Sequence, residues 1–288
     1  MKNKGKQKQT DQRNYTLLLL ILLLLLSYAA VMLYKSQNEP KPAADAGSSE
    51  SVTQPAAAET APQTTPAPVQ TAPIPVPDRE IYLTFDDGPC ENTPQVLDIL
   101  DQYGAKATFF TVGAFVDRYP DYAAEIVKRG NLIACHSYTH DFQKCYASAD
   151  AFMSEIDQWK RAVTQACGSV PERLCVRFPG GSTTKHAASV VDAIKGRLSD
   201  ADYRWFDWDA GDNDKWPKGN TAGLPAEEYY WQSYEKCMGW FKNDPDKPVV
   251  FLFHDTEIGT VHILADVLQD LQQRGYAFKK LDAHPDWN

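Results

Sequence analysis

The sequence predicts an α/β fold, a parallel sheet with helices outside it, behind an N-terminal membrane helix and an unstructured stalk. Three observations predict it. From Arg79 onward, strand-like and helix-like segments alternate, the pattern of a parallel sheet flanked by helices. Residues 15–34 form a long apolar run. Residues 35–78 are rich in proline and alanine and hold no aromatic side chain.

The apolar run is dominated by Leu17 to Leu26. As a helix it rises about 30 Å, the thickness of a bilayer's hydrocarbon core. Lys2, Lys4, Lys6, Lys8 and Arg13 precede it, so residues 1–14 read as a cytoplasmic tail and the lipid bilayer as a partner through residues 15–34. The body is then extracellular on a single-pass anchor. The alternative is a signal peptide cleaved near Ser27-Tyr28-Ala29, which leaves the body secreted. Residues 35–78 cannot bury enough surface to offset their ordering entropy and read as a linker. Its ends lie about 35–40 Å apart as a coil and about 130 Å apart as polyproline.

Residues 79–288 read as one folded domain. Strands are expected at Ile81–Phe85, Ala107–Val112, Leu132–Cys135, Arg173–Arg177, Tyr203–Trp208, Val249–His254 and Tyr276–Lys279. Helices are expected at Thr93–Tyr103, Asp121–Arg129, Ala149–Ala166, Thr184–Leu198 and Ile263–Arg274. Net charge is −9, and the basic cluster gives the first 34 residues +4, so the remainder carries −13. An acidic body argues against nucleic acid as a partner; protein partners are not indicated. The six cysteines permit 15 disulfide pairings or six free thiols, and none has C-x-x-C spacing.

In parallel sheets function gathers at the C-terminal ends of the strands, and the polar residues fall there. Asp86-Asp87-Gly88-Pro89 follows the first strand. It makes a turn, or a carboxylate pair that needs a cation between its members. His136 and His140 follow the third strand, spaced to share a helical face and ligate a metal with the carboxylates. Three protein ligands leave an open position, the mark of a catalytic metal. Other strand ends carry Arg177, Trp208 with Asp214 beyond it, and Leu252-Phe253-His254-Asp255. The acidic stretch Asp207, Asp209, Asp212 and Asp214 lacks the EF-hand spacing.

Together these residues resemble a family. From Ile81 to Leu281 the chain is similar to the NodB-type polysaccharide deacetylases, carbohydrate esterase family 4. The motifs are Thr84-Phe85-Asp86-Asp87-Gly88, Lys106-Ala107-Thr108-Phe109-Phe110 with Gly113, His136-Ser137-Tyr138-Thr139-His140, Trp208 with Asp214, and Leu252-Phe253-His254. One departs: Arg177-Phe178-Pro179-Gly180-Gly181 stands where the family has R-P-P-Y-G, so the aromatic wall is missing.

The resemblance implies a distorted (β/α) barrel. It implies a divalent metal on Asp87, His136 and His140, Zn²⁺ first, with Co²⁺, Ni²⁺ or Mn²⁺ as alternatives. Asp86 becomes the general base held by Arg177, and His254 the general acid oriented by Asp214. Gly180 offers a backbone N–H to the oxyanion, and Leu252 lines the acetyl pocket beside Trp208. The expected activity is hydrolysis of N-acetyl groups from an extracytoplasmic glycan, peptidoglycan above all. Alternatives are a deacetylase or O-acetyl esterase for a chitin-like glycan, an exported glycan or xylan, and an inactive glycan-binding module.

Overall fold

The computed structural model describes residues 78–211, 225–241 and 247–287. The expected membrane segment, the linker and Asp214 lie outside the described residues. Eight strands form one sheet: β1 (Arg79–Asp86), β2 (Thr108–Thr111), β3 (Leu132–Cys135), β4 (Cys175–Val176), β5 (Arg204–Trp205), β6 (Ala210–Gly211), β7 (Val249–His254) and β8 (Tyr276–Lys279). Its order is β5-β4-β3-β2-β1-β7-β6, with β8 also on β1, and every pairing is parallel.

Among the described strands, β5 and β6 are the two edges and do not pair with each other. The sheet is therefore a curled half-barrel, more open than the barrel expected. The connection Phe206–Asp209 spans the seam. Phe206 N–H donates to Val176 O on one side, and Asp209 N–H to Val250 O on the other.

Around the sheet stand α1 (Thr93–Gln102), α2 (Gly113–Arg118), α3 (Pro120–Lys128), α4 (Phe142–Cys145), α5 (Ala149–Cys167), α6 (Val191–Asp200), α7 (Ala226–Gly239) and α8 (Ile258–Gln273). The longest, α5, shows why they form. Ser148 caps it by accepting from Ala151 N–H, and Gly168 ends it at φ +84°. Between them Phe152, Ile156, Trp159 and Val163 repeat at helical spacing and are buried.

The strands sort their side chains by alternation. Ile81, Leu83 and Phe85 belong to the large core under the helices, as do Ile133, Val176, Phe251 and Phe253. Tyr82, Leu132, Ala134, Cys175 and Val250 belong to a smaller core inside the curl, with Phe110 and Phe206. Continuing each inward series brings Asp86, His136, Arg177 and His254 onto the same inner face at the strands' C-terminal ends. All four are buried polar residues.

Several expected elements differ. His136–His140 is not helical; it is a loop with Ser137 and His140 at positive φ. The helix expected over Thr184–Leu198 starts at Val191, because Thr184–Val190 closes in successive tight turns. The strands expected at Arg173–Arg177 and Tyr203–Trp208 shrink to two residues each. At the second, the chain leaves the sheet to span the seam. α2, α4, α7 and β6 were not anticipated. All six cysteines are free thiols.

Candidate active site

Asp86 ends β1 and faces inward. Its Oδ1 accepts from Arg177 Nη1 at 2.8 Å. Arg177 is fully buried, and all three of its nitrogens donate. Nη1 reaches Thr84 Oγ1 (2.7 Å), Nε reaches Phe206 O (3.0 Å), and Nη2 reaches Asp207 O (3.0 Å). Its carbon lies 4.1 Å from the Phe110 ring centroid. The guanidinium thus fixes one oxygen of Asp86 and ties the seam connection to β1. The arrangement leaves Asp86 Oδ2 facing His136, 3.7 Å from its Nε2.

Asp87 turns out of the strand at φ +74°. Its Oδ1 lies 3.4 Å from His136 Nε2 and 3.3 Å from His140 Nε2. One donor atom from each of Asp87, His136 and His140 falls within a 4.8 Å span. His136 Nδ1 is 3.0 Å from Arg177 O. A carbonyl only accepts, so Nδ1 carries the hydrogen and the Nε2 lone pair points to the cluster. The donor set, two imidazoles and a carboxylate, fits a divalent cation.

The electrostatics agree. Burial opposes charge on Asp87, yet His136, His140 and His254 hold its carboxyl well below the usual carboxylate range. Burial also opposes charge on His136, but Asp86 and Asp87 outweigh it and raise its pKa. Burial and the neighbouring His136 lower that of His140.

The histidine loop owes its shape to Glu155. This buried carboxylate on α5 accepts from Tyr138 N (3.0 Å), Thr139 N (2.7 Å) and Thr139 Oγ1 (2.9 Å). His140 N–H bonds back to Ser137 Oγ at 2.9 Å. Sequence reasoning missed Glu155. Its signal was a charge three residues after Phe152, on the buried face of an amphipathic helix.

His254 is the register partner of Asp86, and Leu252 of Thr84, across the β1–β7 pairing. Both belong to the inward series of β7. The next residue, Asp255, is fully buried; the sequence placed it at the strand end but gave it no role. Its Oδ2 accepts from Thr93 Oγ1 at 2.6 Å, and Oδ1 has no partner among the described residues. Burial pushes its pKa up to about 7 against the Thr93 bond. A Cβ at Gly88 would lie 2.2 Å from this carboxylate, so glycine there lets the Asp86–Asp87 turn pack on Asp255.

The loop after Arg177 is also tied down. Tyr146 Oη donates to Pro179 O at 2.7 Å, and Asp207 accepts from Ser182 N and Oγ. Gly180 and Gly181 both have positive φ. The place of a side chain at Gly181 is met by the Trp208 ring at 3.1 Å, and at Gly180 by Phe142 at 3.4 Å. The aromatic wall expected to be missing is thus built by Trp208 of the seam connection and Phe142 at the start of α4.

The model of the polysaccharide deacetylase family matches residues 74–197, which contain both aspartates, both histidines and Arg177. The chain carries a polysaccharide deacetylase domain. It is 28% identical over 198 residues to a peptidoglycan-N-acetylglucosamine deacetylase of Bacillus cereus, covering 69% of this chain and 67% of that one. It is 44% identical over 202 residues to a bifunctional xylanase/deacetylase of Pseudobutyrivibrio xylanivorans, covering 69% of this chain and 29% of that one. Among solved structures it resembles the catalytic domain of a peptidoglycan N-acetylglucosamine deacetylase from Eubacterium rectale. There the TM-score is 0.60 at 28% identity, covering 75% of this chain and 94% of that one. In this deacetylase domain the cation-fitting cluster and Arg177-bound Asp86 share the inner face of the half-barrel.

Proposed function

We propose that this protein hydrolyses N-acetyl groups of a glycan outside the membrane, peptidoglycan first, with a divalent cation on Asp87, His136 and His140. Zinc suits two imidazoles and a carboxylate best. The observation that carries the reading is the meeting of that donor set with a second carboxylate, Asp86, locked by a buried arginine. A cation bound there supplies Lewis-acid polarisation and a more acidic water.

The chain's own groups do the rest. Asp86 is held on one oxygen by Arg177 and takes the attacking water's proton with the other. The Gly180 N–H stands by for the carbonyl oxygen as it gains charge. The carbon–nitrogen bond breaks only if nitrogen is protonated, and His254 gives that proton from across the β1–β7 pairing. Acetate and a free amino sugar result.

The apolar run and stalk of residues 15–78 support action above a membrane, and the two peptidoglycan deacetylases support the substrate. The likeness to the xylanase/deacetylase favours a second reading, acetyl removal from another polysaccharide. Acetate release by the full-length protein tests both, with peptidoglycan, chitin oligomers and acetylated xylan offered separately, with and without chelator. Chelator-sensitive acetate from peptidoglycan is expected. Acetate from xylan alone moves the reading to the ester, and none from any glycan overturns it.

A further inference from the structure

The aromatic residues beside Gly180 form a column. Phe178 and Phe152 stack in the core with centroids 5.1 Å apart. Tyr146 stacks on Phe152 at 5.9 Å, and Phe142 on Tyr146 at 6.2 Å. His186 closes it, stacked on Phe142 at 4.6 Å and 21°. The column runs from fully buried Phe152 and Phe178 to half-buried Phe142 and exposed His186. Its inner part is anchored to the catalytic loop through Tyr146 Oη and Pro179 O. Its outer part stands beside Gly180 and 5.6 Å from the His140 ring.

We propose that the Phe142–His186 stack is a sugar platform, the surface on which a pyranose ring of the N-acetylated glycan rests while its acetyl group meets Gly180 and the Asp87–His140 cluster. This deepens the deacetylase reading and rests on it. Four features argue for it. An aromatic face carries negative potential and attracts the weakly positive C–H face of a pyranose. Rigid backing by Tyr146 and the core means little ordering entropy is lost on binding. Gly180 adds no side chain between the stack and the reacting centre. Finally, His186 lies on the turn segment Thr184–Val190, whose departure from helix brings an exposed ring over Phe142.

The test uses the full-length protein with His186→Ala, His186→Trp and Phe142→Ala. Steady-state acetate release is measured on N-acetylchitohexaose and on 4-nitrophenyl acetate, which has no sugar. Calorimetric titration with the same hexaose reads binding apart from turnover. The platform predicts that His186→Ala raises KM for the hexaose about three- to tenfold, more than it lowers kcat. The hexaose-to-ester ratio of kcat/KM falls with it, and Trp at 186 restores hexaose affinity. Phe142→Ala shows the same split, larger.

Equal losses on hexaose and ester, or an unchanged hexaose KM and affinity in His186→Ala, overturn the platform while leaving the hydrolase intact. Hexaose binding without acetate release overturns hydrolysis of this glycan and leaves peptidoglycan to decide the hydrolytic reading, while the affinity loss in His186→Ala still decides the platform. A wild-type protein that neither binds nor cleaves the hexaose overturns the platform for this ligand class.

Discussion

At the scale of single residues, the two adjacent aspartates have different surroundings and so different expected losses. Asp86 is buried against Arg177, while Asp87 points at two imidazole nitrogens. Asp87→Ala is expected to abolish stoichiometric metal and activity together, read by elemental analysis and acetate release. Asp86→Asn is expected to keep the metal and lose about 10²- to 10⁴-fold in rate. A metal-loaded, fully active Asp87→Ala protein ends the ligand assignment.

Asp255 gives a different kind of prediction. Its ordinary value is 3.8 and burial raises it to about 7. Between those values the folded state holds a proton that the unfolded state has released. Stability therefore falls as pH rises through that window, by at most about 4 kcal/mol. Asp255→Asn keeps an acceptor for Thr93 and removes the buried charge. The variant should melt higher than the parent at pH 8, with the gap closing toward pH 4. Parallel melting curves across that range contradict the assignment.

At the scale of elements, α5 controls the histidine loop. Glu155 takes two backbone N–H groups and one hydroxyl from Tyr138 and Thr139, which holds a loop with two left-handed residues in place. Charge-assisted bonds are roughly twice as strong as neutral ones. Glu155→Gln should therefore loosen the loop without emptying the site, and weaken metal binding about tenfold. Competitive titration against a chromophoric chelator measures it, and unchanged affinity removes Glu155 from the metal's support.

The elements also mark what could be read in advance. The order of strands and helices and the polar residues at strand ends were legible, because turn residues and apolar runs delimit them. The inward alternation of Tyr82, Thr84 and Asp86 was not, since strands buried on both faces read as continuous apolar runs. The short β5 was hidden for a tertiary reason: Arg177 takes the Phe206 and Asp207 carbonyls and draws the chain across the seam. The aromatic wall was hidden because Phe142, at the start of α4, and Trp208, in the seam connection, reach it from distant parts of the sequence. Only Gly180 and Gly181 signalled that something occupied the space.

At the scale of the whole molecule, the proposed action above a membrane carries its own prediction. The half-barrel presents its site at one rim, and the substrate proposed above, peptidoglycan, is an immobile polymer lying off the membrane. If residues 35–78 are the linker expected from the sequence, they reach about 130 Å when extended as polyproline, and a body tethered by them would sweep a layer of that depth. Tethering also raises the local concentration of enzyme at that surface by restricting its volume. Two preparations separate this from the chemistry. The full-length protein should sediment with membranes and resist carbonate extraction, while residues 79–288 should stay in solution. On soluble chitin oligomers the two should agree within about twofold, because the site lies wholly in the body. On wall sacculi surrounding intact membranes the full-length protein should release acetate faster at equal amounts. Shortening the linker by half should erase most of that advantage, since the reach falls in proportion. Equal rates for long and short linkers would leave residues 35–78 as a spacer with no role in reaching the substrate.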